Sequence, residues 1–149
     1  MNIIKFTANE QTDLINIEKH LDKCFDLYEF SYDELKREGE IRLSINILPE
    51  GCFLGCSWLE TVELKEGFDN AAGGIFADCF NLKSISFPNS MKSIPEGCCD
   101  GCESLTSIKF GSDVINTLLN KFFYSDEIIE KNNLYEEIPP RNINLNYII

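Results

Sequence analysis

The stretch LPEGCFLGCSWLETVEL, residues 48–64, recurs as AAGGIFADCFNLKSISF at 71–87 and as IPEGCCDGCESLTSIKF at 94–110. Each recurrence is displaced by 23 residues, which brings Cys56, Cys79 and Cys102 into register. The same shift aligns Gly51, Gly74 and Gly97; Phe53, Phe76 and Cys99; and Leu59, Leu82 and Leu105. It also aligns Val62, Ile85 and Ile108, and Leu64, Phe87 and Phe110. A fixed period of about 20–30 residues marks a stacked repeat, in which each unit buries its apolar face only against the next.

Every unit ends on an alternating run such as Leu82-x-x-Ile85-x-Phe87, the period of a short strand with its apolar side chains turned inward. Repeated unit after unit, such strands pair as a parallel sheet spaced about 4.8 Å apart, and equivalent residues stack into ladders. Pro88-Asn89-Ser90 supplies a turn, and Met91 and Ile94 a second short apolar element on the opposite wall. Between that wall and the strand, the Gly and Cys positions reverse the chain.

The segment Ile75-Phe76-Ala77-Asp78-Cys79-Phe80-Asn81-Leu82-Lys83-Ser84-Ile85-Ser86-Phe87-Pro88-Asn89-Ser90 closely resembles the BspA-like class of leucine-rich repeats. The resemblance covers about residues 47 to 112 and rests on the recurring spacing. The family's small Ala is Cys52, Ile75 and Cys98 here, its Phe becomes Cys99 in the third unit, and the Pro after the strand occurs once. It implies an α/β repeat, a short leucine-rich-repeat solenoid with a parallel sheet, which the residue patterns at the two ends flank with helical caps. It also implies protein binding, sometimes adhesion to host matrix proteins, and many relatives are cell-surface proteins.

An array this short needs its ends covered. Residues 9–25 carry Leu14, Ile17, Leu21 and Cys24 or Phe25 at helical spacing. Ser31-Tyr32-Asp33-Glu34 fits a capping box and Gly39 a stop, predicting a second short helix. Ile41, Leu43, Ile45 and Ile47 alternate with polar residues, predicting a half-buried strand leading into the first unit. Beyond the repeats, Ser112 or Asp113 starts a predicted helix bearing Ile115, Leu118, Leu119, Phe122 and Phe123; a degenerate further repeat is the alternative. Ile143, Leu145, Tyr147 and Ile149 alternate as in a strand. The expected organisation is an amino-terminal helical cap at 1–40, repeats at 41–112, and a helical cap or degenerate repeat at 113–149.

The 149 residues fit one domain, large enough to bury about 68–70% of its unfolded surface. A net charge of -12 argues against nucleic acid and anionic membrane surfaces, which require basic patches. The first residues, Met1-Asn2-Ile3-Ile4-Lys5-Phe6, hold no apolar run of signal-peptide length, and no segment is long enough to span a bilayer. Cytoplasmic residence is the default expectation, with the cell surface as the alternative the resemblance implies.

Seven cysteines, an odd number, argue against a complete disulfide framework. Register explains Cys56, Cys79 and Cys102 as small apolar fillers of a tight turn. Zinc would need about four convergent ligands, and the sulfurs of Cys52-x-x-x-Cys56 and Cys98-Cys99-x-x-Cys102 mostly occupy apolar repeat positions. Structural thiols and no cofactor are therefore expected. The single histidine, His20, has no assigned cysteine partner for Cys–His chemistry. With no phosphate loop or nucleophile elbow either, a non-enzymatic role is expected.

The residues alternating with the buried ones form the candidate binding stripe: Thr61 and Glu63, Ser84 and Ser86, Ser107 and Lys109. Trp58, just before the first strand, is read either as an exposed anchor or as packing on the amino-terminal helix. The expected function is a protein–protein interaction module with a protein partner. The alternatives are a structural repeat fragment without its own ligand and an extracellular adhesin-type surface protein.

Overall fold

A computed structural model describes residues 1–91, 97–110 and 141–144. The elements are β1 (Asn2–Ala8), α1 (Leu14–Cys24), β2 (Glu29–Asp33), β3 (Glu38–Leu43), β4 (Ile47–Leu48), β5 (Leu59–Leu64), β6 (Asn70–Ala71), β7 (Ser84–Ser86), β8 (Ser107–Phe110) and β9 (Arg141–Asn144). The 23-residue register is realised as direct pairing. Strands β5, β7 and β8 run parallel, matching Thr61 to Ser84 to Ser107 and Val62 to Ile85 to Ile108. On the second wall, β4 pairs in parallel with β6, Ile47 opposite Asn70.

Between the two walls the units are tied by hydrogen bonds from one to the next. Phe53 N–H donates to the Ile75 carbonyl at 3.0 Å, and Phe76 N–H to the Cys98 carbonyl at 2.9 Å. The ladder thiols point back along the stack: Cys79 Sγ donates to the Phe53 carbonyl and Cys102 Sγ to the Phe76 carbonyl, each at 3.0 Å. A thiol thus satisfies a buried carbonyl while filling the volume of a small apolar group. Gly51, Gly74 and Gly97 share one conformation, with φ of 60°, 65° and 67°, which explains the recurrence of glycine at that turn. Leu59, Leu82, Leu105, Val62, Ile85 and Ile108 all lie in the core, and the Phe53 and Phe76 rings stack at 5.5 Å.

The amino-terminal unit departs from the expected helical cap. Its first residues form β1, which buries Ile4, Phe6 and Ala8 and lies antiparallel to both β3 and β5. The first repeat strand is therefore covered by a strand. The result is a mixed seven-stranded sheet in the order β2-β3-β1-β5-β7-β8-β9, parallel only within the repeats. Helix α1 is shorter than 9–25, because the Asn9 carboxamide accepts from Gln11 N–H and the Thr12 hydroxyl in a turn of its own. Asp13 then caps the helix by accepting from Asn16 N–H at 2.9 Å. Ile17 and Leu21 face the core.

The second helix expected over 31–39 is instead a hairpin, β2 to β3. The Asp33 carboxylate does accept from Leu35 and Lys36 N–H, but it closes the hairpin loop. Strand period prevails because Phe30 and Tyr32 both stack on Phe6, at 6.2 and 6.1 Å. Gly39 is no helix stop: it pairs with Phe6 across the strands, and a Cβ there would overlap the Phe6 ring. The strand expected through Ile47 ends at Leu43, so Ile41 and Leu43 are buried while Ile45 and Ile47 are exposed. The helix or degenerate repeat expected from Ser112 or Asp113 lies outside the described residues, as do Ile94 and residues 145–149. Arg141–Asn144 is a strand, β9, antiparallel to β8.

Candidate interaction groove

Because outward residues of paired strands share one face, the sheet registers generate two polar rows. One runs Asp33, Glu38, Thr7, Thr61, Ser84, Ser107; the other runs Ser31, Glu40, Lys5, Glu63, Ser86, Lys109. Together they floor a groove of about 860 Å³. All six stripe residues, Thr61, Glu63, Ser84, Ser86, Ser107 and Lys109, line it. Trp58 does not. It is 6% exposed, edge-on to Phe6 at 5.2 Å and to His20 of α1 at 5.5 Å. Its bulk closes the junction between the amino-terminal unit and the first repeat, as the reading of Trp58 packed on the amino-terminal helix expected, and the exposed-anchor reading is corrected.

Sequence reasoning missed the other half of the groove: Lys5 and Thr7 of β1, Ser31 and Asp33 of β2, Lys36, and Glu38 and Glu40 of β3. The signal was present in the alternation of Ile4, Phe6 and Ala8 with Lys5 and Thr7. These residues join the repeat face directly, since the Thr7 and Thr61 hydroxyls lie 2.7 Å apart. Lys5 sits in register between Glu40 and Glu63. Those carboxylates pair with sequence neighbours, Glu40 with Arg42 of β3 at 2.8 Å and Glu63 with Lys65 just past β5 at 2.5 Å. Exposed pairs of this kind add little stability, about 0–1 kcal/mol each, but they fix side-chain positions on the surface. Four carboxylates and three ammonium groups line the groove, so it is nearly balanced within a strongly acidic chain. The acids concentrate on the β2–β3 side, and the β7–β8 side offers small hydroxyls and Lys109.

No cysteine or histidine lines this groove. His20 does have a cysteine neighbour, contrary to the sequence expectation: Cys24 Sγ is 3.6 Å from Nε2, one helical turn away. That same Nε2 lies 2.9 Å from the Cys52 carbonyl. A nitrogen donating to a carbonyl carries the proton and cannot accept one from a thiol. Burial pushes the Cys24 thiol up and the imidazole down, the opposite of an activated thiolate–imidazolium pair. Burial likewise raises Cys52 and Cys56.

His20 has a pH consequence. Burial lowers its pKa from 6.5, helped by Lys23 and opposed by the bond to the Cys52 carbonyl. Below that value the unfolded chain binds the proton more readily than the folded one. The contribution of this group is therefore full above its unfolded pKa and declines as pH falls through it. Urea midpoints at about pH 7.5 and 5.5 should separate for the wild type and converge for His20→Gln. Equal pH sensitivity in the variant would contradict this assignment.

Units stacked in register with a polar row on the outward sheet face define a repeat fold of the leucine-rich-repeat type. The model of the BspA type leucine rich repeat region matches residues 23–140 in six copies, and the chain belongs to that family. The match extends beyond the three units in register on both sides and takes in β2 and β3. Such repeats typically serve protein interaction or surface roles without catalysis. No curated protein and no solved structure matches the chain. No helix among the described residues is long and apolar enough to cross a membrane.

Proposed function

We propose that this protein is a non-enzymatic interaction module that receives an extended segment of a protein partner in the groove. The observation that carries this reading is the continuity of the stripe with β1 and β3 along one groove of about 860 Å³. The Ser84, Ser86 and Ser107 floor lets a partner backbone approach closely. Asp33 and Glu38 at one side favour a basic partner residue, and Lys109 at the other favours an acidic one. The repeats act here as a short solenoid whose amino-terminal unit, 1–40, is a cap that also contributes to the binding surface.

Ser84→Arg/Ser107→Arg fills the floor with two long cations while leaving the buried ladder intact. Wild type, this variant and Lys19→Glu on exposed α1 would be compared in capture from extracts of the source organism, each first shown to be folded by circular dichroism. A partner bound by wild type and Lys19→Glu, and at least about tenfold weaker on the groove variant, is expected. Equal capture by all three would place the interaction elsewhere, and empty eluates throughout would favour a structural repeat without its own ligand.

A further inference from the structure

The third unit differs from the other two at one ladder position with chemical consequences. Where Phe53 and Phe76 stand, it has Cys99, so only this unit reads Cys-x-x-Cys, Cys99-Asp100-Gly101-Cys102. All three units build the same turn here. Cys56 N–H donates to the Phe53 carbonyl at 3.1 Å, Cys79 N–H to Phe76 at 3.2 Å, and Cys102 N–H to Cys99 at 3.1 Å. In the first two the residue facing the ladder cysteine is a phenyl ring; in the third it is a second thiol. The Cys102 N–H to Cys99 carbonyl bond puts the two cysteines at the first and fourth positions of one turn, and Cys98 Sγ lies 3.4 Å from Cys99 Sγ. No group of three or more such residues, among those described, is arranged to hold a metal ion.

We propose that Cys99 and Cys102 form a dithiol that closes to a reversible disulfide, a modification site confined to the third repeat unit. A turn closed from the first to the fourth residue brings the two Cβ atoms toward the separation of about 3.5–4.5 Å that a disulfide needs. Cys99 is partly exposed as a residue, whereas Cys98 and Cys102 are buried. A Cys98–Cys99 bond would force the intervening peptide into a small, distorted ring. A Cys79–Cys102 bond would sacrifice both thiol–carbonyl bonds between units.

With a disulfide oxidant such as oxidised glutathione, one thiolate of the pair attacks a glutathione sulfur and expels a glutathione thiolate. The other thiolate then attacks the protein sulfur of the mixed disulfide and expels the second. The protein loses two protons and two electrons, and two molecules of glutathione thiol are formed. Closure removes the proton that Cys102 donates to the Phe76 carbonyl, loosening the third unit from the second. The strand that follows in the third unit carries Ser107 and Lys109 of the groove floor.

The test is oxidation of the purified full chain by oxidised glutathione, alkylation of remaining thiols, and cleavage after Lys92 and before Asp100. That cleavage isolates Cys98 and Cys99 in one fragment and Cys102 in the next. Wild type and Cys98→Ser should each lose two hydrogen atoms, with the two fragments joined until reduced by dithiothreitol. Cys99→Phe, which restores the ring of the other units, should keep the fragments separate. Alkylation of all seven thiols in oxidised wild type would overturn the proposal, as would fragments that separate or a link to Cys79. Fragment-ion sequencing of the joined wild-type peptides, with the alkyl group found on Cys98, assigns the link to Cys99, so a variant that fails to fold does not blunt the test. The alkyl group on Cys99 would overturn the proposal.

Discussion

Phe76→Ala is expected to destabilise the protein by about 3–5 kcal/mol, the range for truncating a buried aromatic ring. Phe76 is completely buried, stacked on Phe53 at 5.5 Å and edge-on to Phe87 at 6.4 Å. It is therefore the ring at which the first, second and strand portions of the repeat core meet. Its N–H and carbonyl also serve the stack, donating to Cys98 and accepting from the Cys102 thiol. The cavity left by alanine cannot be filled by its neighbours, since these bonds hold the units at fixed spacing. Urea denaturation of the wild type and variant measures the loss. A change below about 0.5 kcal/mol, typical of surface substitutions, would mean that the ring ladder is not the core of the repeat.

The second large effect is expected at Gly39→Ala. A Cβ at this position would occupy the space of the Phe6 ring, which is 3% exposed and held edge-on to Trp58 at 5.2 Å. Phe6 also stacks on Phe30 and Tyr32, so it has no vacant direction in which to swing. Overpacking of this kind costs about 1–3 kcal/mol or more. Because the penalty arises from one contact, Phe6→Leu in the Gly39→Ala background should recover part of it. The double-mutant cycle should return a coupling of about 0.5–3 kcal/mol. Strict additivity, or a neutral Gly39→Ala, would show that β3 does not pack against Phe6 as described.

What the sequence disclosed and what it hid follow from the same physics. The repeat strands were legible because three units present equivalent residues at one spacing, so each weak strand signal is read three times. The polar stripe came with them, since Thr61, Ser84 and Ser107 are fixed by the register that buries Val62, Ile85 and Ile108. The amino-terminal unit has no such repetition. Around Asp33 the local signal is ambiguous: its carboxylate accepts two backbone N–H groups, as a helix cap would, yet in a hairpin loop. What decides between them is the stacking of Phe30 and Tyr32 on Phe6, more than 20 residues away, a contact that no local window contains.

The surroundings of His20, and the choice between the two readings of Trp58, carry the same lesson. Each residue stood alone in the sequence, and a single residue offers no period from which to read its environment. Their edge-to-face contact at 5.5 Å exists because β1 lies antiparallel to β5 and draws α1 over the first repeat. That pairing also gives the groove its second half. Lys5 and Thr7 belong to the surface only because Phe6 is buried against Val62 and Gly39, the same alternation that placed the serines of the repeats.

The most direct test of the groove as the interaction face is site-specific photo-crosslinking in cells of the source organism. A photoreactive phenylalanine analogue would replace Ser84 on the groove floor in one sample and Lys19 on α1 in another. The account predicts a covalent adduct with a discrete protein from position 84 and none from position 19. Adducts from position 19 alone, or none from position 84 while a partner is still captured, would contradict it.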